Sequence, residues 1–356
     1  MSPGDEPELR EVLIPDPSGD QIVVRIDAVG VCHTDLAMAP LRPPSQLPMI
    51  LGHEGTGVVE AVGSDVTRVH VGQRVVLTFD ACGTCARCRS DESAYCDTTT
   101  ARNVVGSASG VSLPDGTPVT TGFFGQSSFG HHALASQRNA IPLREDIGAE
   151  LAAPLGCSVQ TGYGTVVNVL RPAGGDGVVI FGAGAVGMSA LLAARQLGAV
   201  PIVVEPQPLR RERALELGAA EVFDPTVFDQ GQLIAAVRAS VGGGAHCAID
   251  TTAIPAVLSL AAMCLRKRGS LAVVGLGAMN AELPVAVIMA AGLRVQGVVE
   301  GDSTPHTFIP HLAGLVADGR LPIDRIIETY PFSRFGDAWA CAAAGTGLKP
   351  VLVVDR

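Results

Sequence analysis

The chain has 356 residues, too many for one hydrophobic core and enough for two domains. With 47% hydrophobic and 17% charged residues it has the make-up of a well-packed globular protein, which excludes a disordered chain. A formal net charge of −10 would repel a polyanion and so excludes nucleic acid as an expected partner.

The opening residues, Met-Ser-Pro-Gly-Asp-Glu-Pro-Glu, carry neither a basic start nor an apolar stretch, so no secretion signal is expected. Rough alternation over residues 21–30 predicts a strand. Two more are predicted at Thr56–Val62 and Gln73–Leu77, joined through Gly63, Ser64 and Asp65. Residues 78–125 are rich in Gly, Ser, Thr and Asp and have few helical signals. Within them lie Cys82, Cys85, Cys88 and Cys96, separated by gaps of two, two and seven residues. That spacing lets four thiolates converge on one tetrahedral zinc ion. Clustered thiols without a signal peptide point to a reducing compartment, the cytoplasm, where they bind metal and do not pair. Cys247, Cys264 and Cys341 read as scattered core thiols.

From about residue 158 strands alternate with helices. Strands are predicted at Val178–Phe181, Ile202–Glu205, Ala245–Asp250 and Leu271–Val274. Helices are predicted from Gly187 to Leu197 and from Leu209 to Leu217, the latter capped by Gly218. This order predicts a doubly wound parallel sheet. The longest nearly apolar run, residues 178–194, is interrupted by Gly182, Gly184 and Gly187, so no membrane span is expected. The pattern fades near 298. The expected division is therefore a β-rich catalytic domain over 1–157 and 299–356, with a metal lobe at about 80–100, and a nucleotide domain over 158–298.

Gly182-Ala183-Gly184-Ala185-Val186-Gly187 follows an apolar strand and opens a helix, the pattern of a dinucleotide loop. The first glycine permits a tight turn, the second a close approach of pyrophosphate, and the third close helix–strand packing. Glu205 ends the next strand. A carboxylate there accepts from both ribose hydroxyls and repels a 2′-phosphate, which favours NAD over NADP. Arg210, Arg211 and Arg213 stand nearby, as solvated helix charges or as a latent phosphate grip.

Cys32 lies in Gly-Val-Cys-His-Thr-Asp, His53 in Leu-Gly-His-Glu-Gly and Cys157 in Leu-Gly-Cys-Ser-Val-Gln-Thr-Gly. Spacing alone does not join residues so far apart. Taken together, these motifs, the four-cysteine lobe and the glycine loop make the chain similar to the zinc-containing medium-chain alcohol dehydrogenase family over nearly its whole length. Phe123–Phe129 and the stretch from Glu300 to Pro310 look like its aryl- or benzyl-alcohol branch.

The resemblance implies an α/β architecture: a GroES-like catalytic domain plus a Rossmann domain. It implies two zinc ions per chain, one held by Cys32, His53 and Cys157 with a fourth position open, the other closed by Cys82, Cys85, Cys88 and Cys96. It implies a reversible hydride transfer between NAD and a primary alcohol, aryl, benzylic or allylic, the aldehyde being the product. A homodimer or homotetramer is expected, with no membrane partner. Zinc in such a site acts as a Lewis acid that brings the pKa of a bound alcohol toward neutrality. By position, Thr34 resembles the hydroxyl that passes on the alcohol proton, Asp35 the carboxylate that orients the zinc histidine, and Glu54 the acid behind the zinc. His33 and Lys349 match positions that meet the pyrophosphate, Thr161 lies near the nicotinamide, and Val274 offers its backbone to the carboxamide. Arg210 is grouped with the cofactor residues.

Two departures stand out. Ala37 occupies the place where some relatives carry a relay histidine, and the strand that usually precedes the segment matching Pro7–Val12 is not seen. Three rival readings have distinct signatures. Oxidation of formaldehyde as a thiol adduct needs a cationic pocket, a non-catalytic nucleotide-binding zinc protein needs no open-position ligands, and a zinc-free quinone or enone reductase lacks both zinc sites.

Overall fold

The computed structural model describes residues 7–354. The stretch read as carrying no secretion signal therefore lies, in residues 1–6, outside the described residues. The chain divides into two compact units, one of residues 1–157 and 303–356, the other Ser158–Asp302.

The first unit is built on a seven-stranded sheet. Its order is Ile327–Pro331, Lys349–Val353, Gln21–Gly30, Gly55–Val62, Arg74–Leu77 and Ala140–Pro142, with His132–Ser136 also paired to Gln21–Gly30. The central strand alternates as its sequence predicts, because successive side chains point to opposite faces. Ile22, Val24 and Ile26 are buried in a core with Val59, Val75, Leu77 and Leu352. The C-terminal strand runs antiparallel to Gln21–Gly30, opposing Val351 to Gly30. This register sets residues from the end of the chain beside Cys32. The 78–125 stretch holds more order than its composition announces. It has a helical turn at Ala86–Arg89, a π-helical turn at Thr100–Val105 and a hairpin of Ser107–Ser112 with Pro118–Thr121.

The second unit holds a six-stranded sheet in the order Glu221–Phe223, Val200–Val204, Gly177–Phe181, Ala245–Asp250, Leu265–Val273 and Arg294–Gly297. Every pairing is parallel. The order reverses between Gly177–Phe181 and Ala245–Asp250, the crevice where open α/β sheets bind their ligands. The glycine loop leaves the sheet at that crevice. Among the described residues, no helix is long and apolar enough to cross a membrane.

Candidate active site and metal centres

Cys32 lies just beyond the strand Gln21–Gly30 and caps the short helix His33–Met38. Asp35, in the first turn of that helix, is fully buried. Its Oδ2 accepts from the Cys32 N–H at 3.0 Å, and its Oδ1 accepts from the Gly52 N–H at 3.1 Å and lies 2.9 Å from His53 Nδ1. A carboxylate at Nδ1 puts the ring proton there and leaves Nε2 as the electron-pair donor. His53 Nε2 is buried and makes no hydrogen bond of ordinary geometry. What it faces is sulfur: one ligand atom from each of Cys32, His53, Glu54 and Cys157 lies within 4.8 Å of the others.

Electrostatics match that arrangement. A hydrogen bond from the Cys157 thiol, opposed by burial and helped by Lys349 and His53, holds Cys32 well below the usual thiol range. Burial disfavours a charged His53, but Asp35 and the Cys32 sulfur outweigh it and raise its pKa. Burial pushes Glu54 up to about 7 against the pull of Lys349. Lys349 Nζ lies 2.5 Å from Glu54 Oε2 and donates to the Val31 carbonyl at 3.2 Å. Burial works against its charge, and Glu54 more than restores it. The pair passes over Gly30, where a Cβ would lie 2.1 Å from Glu54 Oε2. Lys349 is thus placed inside the first unit behind the sulfur cluster, its ammonium committed to Glu54, whereas the resemblance implied a pyrophosphate contact.

The aromatic run Phe123–Phe129 splits by role. Phe123 and Phe124 pack on the His53 ring with centroids 5.6 and 4.6 Å away. Phe124 does so with φ at +50°, which costs a non-glycine residue roughly 1–2 kcal/mol. Phe129 packs instead on Phe335 and Trp339 and helps line an apolar cavity of about 520 Å³. None of the four clustered ligand residues lines that cavity.

In the lobe, one sulfur from each of Cys82, Cys85, Cys88 and Cys96 lies within 4.8 Å of the others. Backbone N–H groups turn inward: Cys85 donates to Cys82 Sγ at 3.3 Å, Cys82 to Cys96 Sγ at 3.3 Å and Cys88 to Cys85 Sγ at 3.5 Å. Hydrogen bonds from the Thr84 hydroxyl and N–H and from the Cys85 N–H bring Cys82 down to about 5. All nine cysteines are free thiols. Both clusters offer the nitrogen and sulfur donors zinc prefers, three beside an acid in one and four in the other.

The three glycines of the nucleotide loop serve three separate purposes. Gly182 has φ +92°, and a Cβ there would lie 2.4 Å from Thr251 Oγ1. A Cβ on Gly187 would lie 1.9 Å from the Gly182 carbonyl oxygen, so strand and helix meet only over a hydrogen atom. Gly184 has nothing within 4 Å of its Cβ position, an open approach to the N-terminus of the helix Ala185–Gln196. Ala183 donates its N–H to Glu205 Oε2 at 2.7 Å, and Ala185 and Val186 form the first turn of the helix. Arg211 is spent on Asp224 at 2.9 Å and Arg213 on Glu216 at 2.8 Å, while Arg210 is half-buried. Thr161, buried in the helix Ser158–Gly164, donates to Glu300 at 3.3 Å. The Val274 N–H is taken by the Asp250 carbonyl, so only its carbonyl can be presented. His33 is exposed and Thr34 half-buried, both on the first turn after Cys32. Gln126, Thr78 and the Lys349–Glu54 pair are parts of the site that motif reading missed. The only sequence signal for Gln126 was its place in the aromatic run.

Residues 18–145 match alcohol dehydrogenase GroES-like domains and residues 185–317 match zinc-binding dehydrogenases. Over 349 residues the chain is 42% identical to a geraniol dehydrogenase of Castellaniella defragrans, covering 96% of this chain and 93% of that one. The chain belongs to the zinc-dependent alcohol dehydrogenase family. A zinc-binding-domain alcohol dehydrogenase from Burkholderia ambifaria superposes with a TM-score of 0.94 at 42% identity, covering 99% of this chain and 96% of the other. The benzyl alcohol dehydrogenase of Acinetobacter calcoaceticus superposes with a TM-score of 0.91 at 37% identity, covering 98% and 96%. The protein is accordingly an oxidoreductase of small-molecule alcohols and aldehydes that uses zinc and NAD(P).

Proposed function

We propose that the enzyme oxidises primary aryl, benzylic or allylic alcohols with NAD, reversibly, at a zinc held by Cys32, His53 and Cys157. The observation that carries this reading is the meeting of His53 Nε2, without a hydrogen bond of ordinary geometry, with two sulfurs and the Glu54 carboxylate. When bound, zinc supplies Lewis acidity and the nicotinamide supplies a hydride acceptor. The chain's own residues do the rest. Asp35 keeps Nε2 aimed, and Lys349 holds Glu54 back from permanent ligation. The Thr34 hydroxyl takes the alcohol proton toward solvent. Names of relatives support the substrate class: geraniol is an allylic alcohol and benzyl alcohol an aryl one.

NAD over NADP is supported by the loop-bound Glu205 and by Arg211 and Arg213, each committed to an acid and so unavailable to a 2′-phosphate. His33, Thr161, Val274 and Arg210 complete the proposed cofactor contacts. The cysteines of the lobe hold a second, closed zinc. A homo-oligomer joined through the edge strand Arg294–Gly297 is supported by the exposure of Val295, Val285 and Met289 on and beside it. Free cysteines throughout support a cytoplasmic setting.

The test is an initial-rate panel of benzyl alcohol, geraniol and ethanol with NAD and with NADP, beside metal analysis and light scattering. Two zinc ions per chain and a preference for the unsaturated alcohols with NAD are expected. A preference for ethanol or for NADP would overturn the substrate or the cofactor assignment.

A further inference from the structure

Two metal-ligand segments are joined by an unbroken polar chain within the first unit. Gln126 is fully buried and every hydrogen-bonding side of its amide is engaged. Its Oε1 accepts from the Gly55 N–H at 3.0 Å and the Ser128 hydroxyl at 2.5 Å. Its Nε2 donates to the carbonyls of His53 at 2.9 Å and Thr78 at 3.2 Å. Thr78 in turn donates its hydroxyl to the Gly156 carbonyl at 2.7 Å, one residue before Cys157. The Thr78 carbonyl also accepts from Asn139 Nδ2 at 3.0 Å. Two donors face one end of the Gln126 amide and two carbonyls the other, so its orientation is fixed by its partners. The fit is tight on the far side as well: a Cβ on Gly55 would lie 2.3 Å from Ser128 Oγ.

We propose that Gln126 is a positioning residue of the metal site, which with Thr78 locks the backbone of His53 to that of Cys157. Asp35 orients the His53 ring. A ring can be oriented and still be misplaced if its backbone drifts, and Gln126 supplies the missing constraint. An apolar side chain there strips the Gln126 amide from the buried Gly55 N–H and His53 carbonyl, and leaves the Thr78 carbonyl with Asn139 Nδ2 but no link to His53. The inference rests on the assignment of Cys32, His53 and Cys157 as zinc ligands.

The test uses the full-length, metal-loaded protein and the variants Gln126→Met, Gln126→Glu, Thr78→Val and the double variant Gln126→Met/Thr78→Val. Val24→Ala, in the sheet core, serves as a stability control. Metal release to a chromophoric chelator is timed well below the melting temperature. Cobalt placed in the site reports ligand geometry by its absorption. Gln126→Met and Thr78→Val should each release the metal of this site about tenfold faster, the loss typical when a partner of a metal ligand is removed. Each should also shift the cobalt bands. The double variant should lose less than the product of the singles, because both act through one chain. Val24→Ala should melt earlier with release and spectrum unchanged. If Gln126→Met does not fold, Thr78→Val and Gln126→Glu decide. Release within twofold of the parent with unaltered cobalt bands overturns the proposal. A parent protein that binds no metal through Cys32, His53 and Cys157 overturns the zinc assignment itself.

Discussion

Gly184 and Gly187 make the nucleotide loop testable with two alanines of opposite expected effect. At Gly187 the added methyl would sit 1.9 Å from the Gly182 carbonyl oxygen and 3.3 Å from Ile180 Cγ2. An ordinary carbon–oxygen contact needs roughly 3.2 Å, so the helix Ala185–Gln196 must back away from its strand by more than an ångström. Forced overpacking of this kind costs about 1–3 kcal/mol. In a unit of this size that lowers the melting temperature by roughly 3–10 °C. At Gly184 the methyl meets nothing within 4 Å, and φ −74° with ψ −172° is open to any residue. There alanine should hold or raise the melting temperature, gaining up to about 1 kcal/mol through the unfolded chain. It should nevertheless weaken NAD about tenfold or more, because it fills the path by which the pyrophosphate reaches the helix N-terminus. Thermal unfolding without cofactor and NAD titration by calorimetry read the two quantities separately. If Gly184→Ala binds NAD as the parent does, the phosphates do not approach across that position and the reasoning fails.

Other outcomes follow from the first unit. Lys349→Met strips the cation from a buried carboxylate 2.5 Å away and should destabilise by about 3–5 kcal/mol in denaturant unfolding, with Glu54→Gln in the same chain recovering most of it. No recovery would mean that Lys349 acts through packing alone. With Ala37 in place of a relay histidine, turnover should rise with buffer concentration at fixed pH and ionic strength, since a buffer base can carry onward the proton that Thr34 passes and no histidine collects. Complete insensitivity to buffer would remove the idea. Cys88→Ser should cut folded yield while leaving the deuterium isotope effect on the hydride step unchanged in the protein that survives; a soluble variant that keeps its full zinc content would count against a metal role for that sulfur.

What the sequence declared, and what it hid, divides along physical lines. The parallel strands Gly177–Phe181 and Val200–Val204 are covered on both faces and read as apolar runs. The glycines of the loop announce themselves as a spaced set, Gly182 needing its left-handed φ, Gly187 its close contact with the strand and Gly184 its open approach. By contrast, Ile327–Pro331 is half-exposed without a regular alternation, and the helix Ser158–Gly164 is buried all round, its polar residues included, so no solvent-facing side marks its period. The proposed zinc ligands Cys32, His53 and Cys157 are legible only as motifs, since they meet through the fold and not through spacing. The resemblance puts Lys349 at a pyrophosphate position; its place beside Glu54 is hidden from the sequence because it depends on the pairing of Val351 with Gly30. Gln126 stayed hidden for a different reason. Three of its four partners are backbone groups, which leave no trace in side-chain identity.

The two proposed metal centres should respond differently to chelation, and the reason lies in what surrounds each. His53, Asp35, Glu54 and Gln126 are fully buried in the sheet-bearing unit, and their polar groups are held by one another and by backbone. The scaffold of that centre is therefore maintained by the fold, and losing its metal removes a bound ligand without removing the walls. The lobe has no such support. Its cysteines span residues 82–96, where the helical turn Ala86–Arg89 is four residues long and buries none of its side chains. Only Ala94 and Cys96 in this stretch are buried. So few apolar contacts do little to offset the entropy of ordering such a loop, and in the proposed zinc lobe metal–sulfur bonds would supply the difference. Graded chelation should thus abolish alcohol oxidation in a first phase with the melting temperature shifted only by ligand loss. A second phase should open residues 82–96 to protease and to rapid amide exchange. Activity should return with zinc after the first phase, and only partly after the second. Simultaneous loss of activity and lobe protection, at every chelator concentration, would show that the two centres are one cooperative unit and that the buried hydrogen bonds do not hold the first in shape.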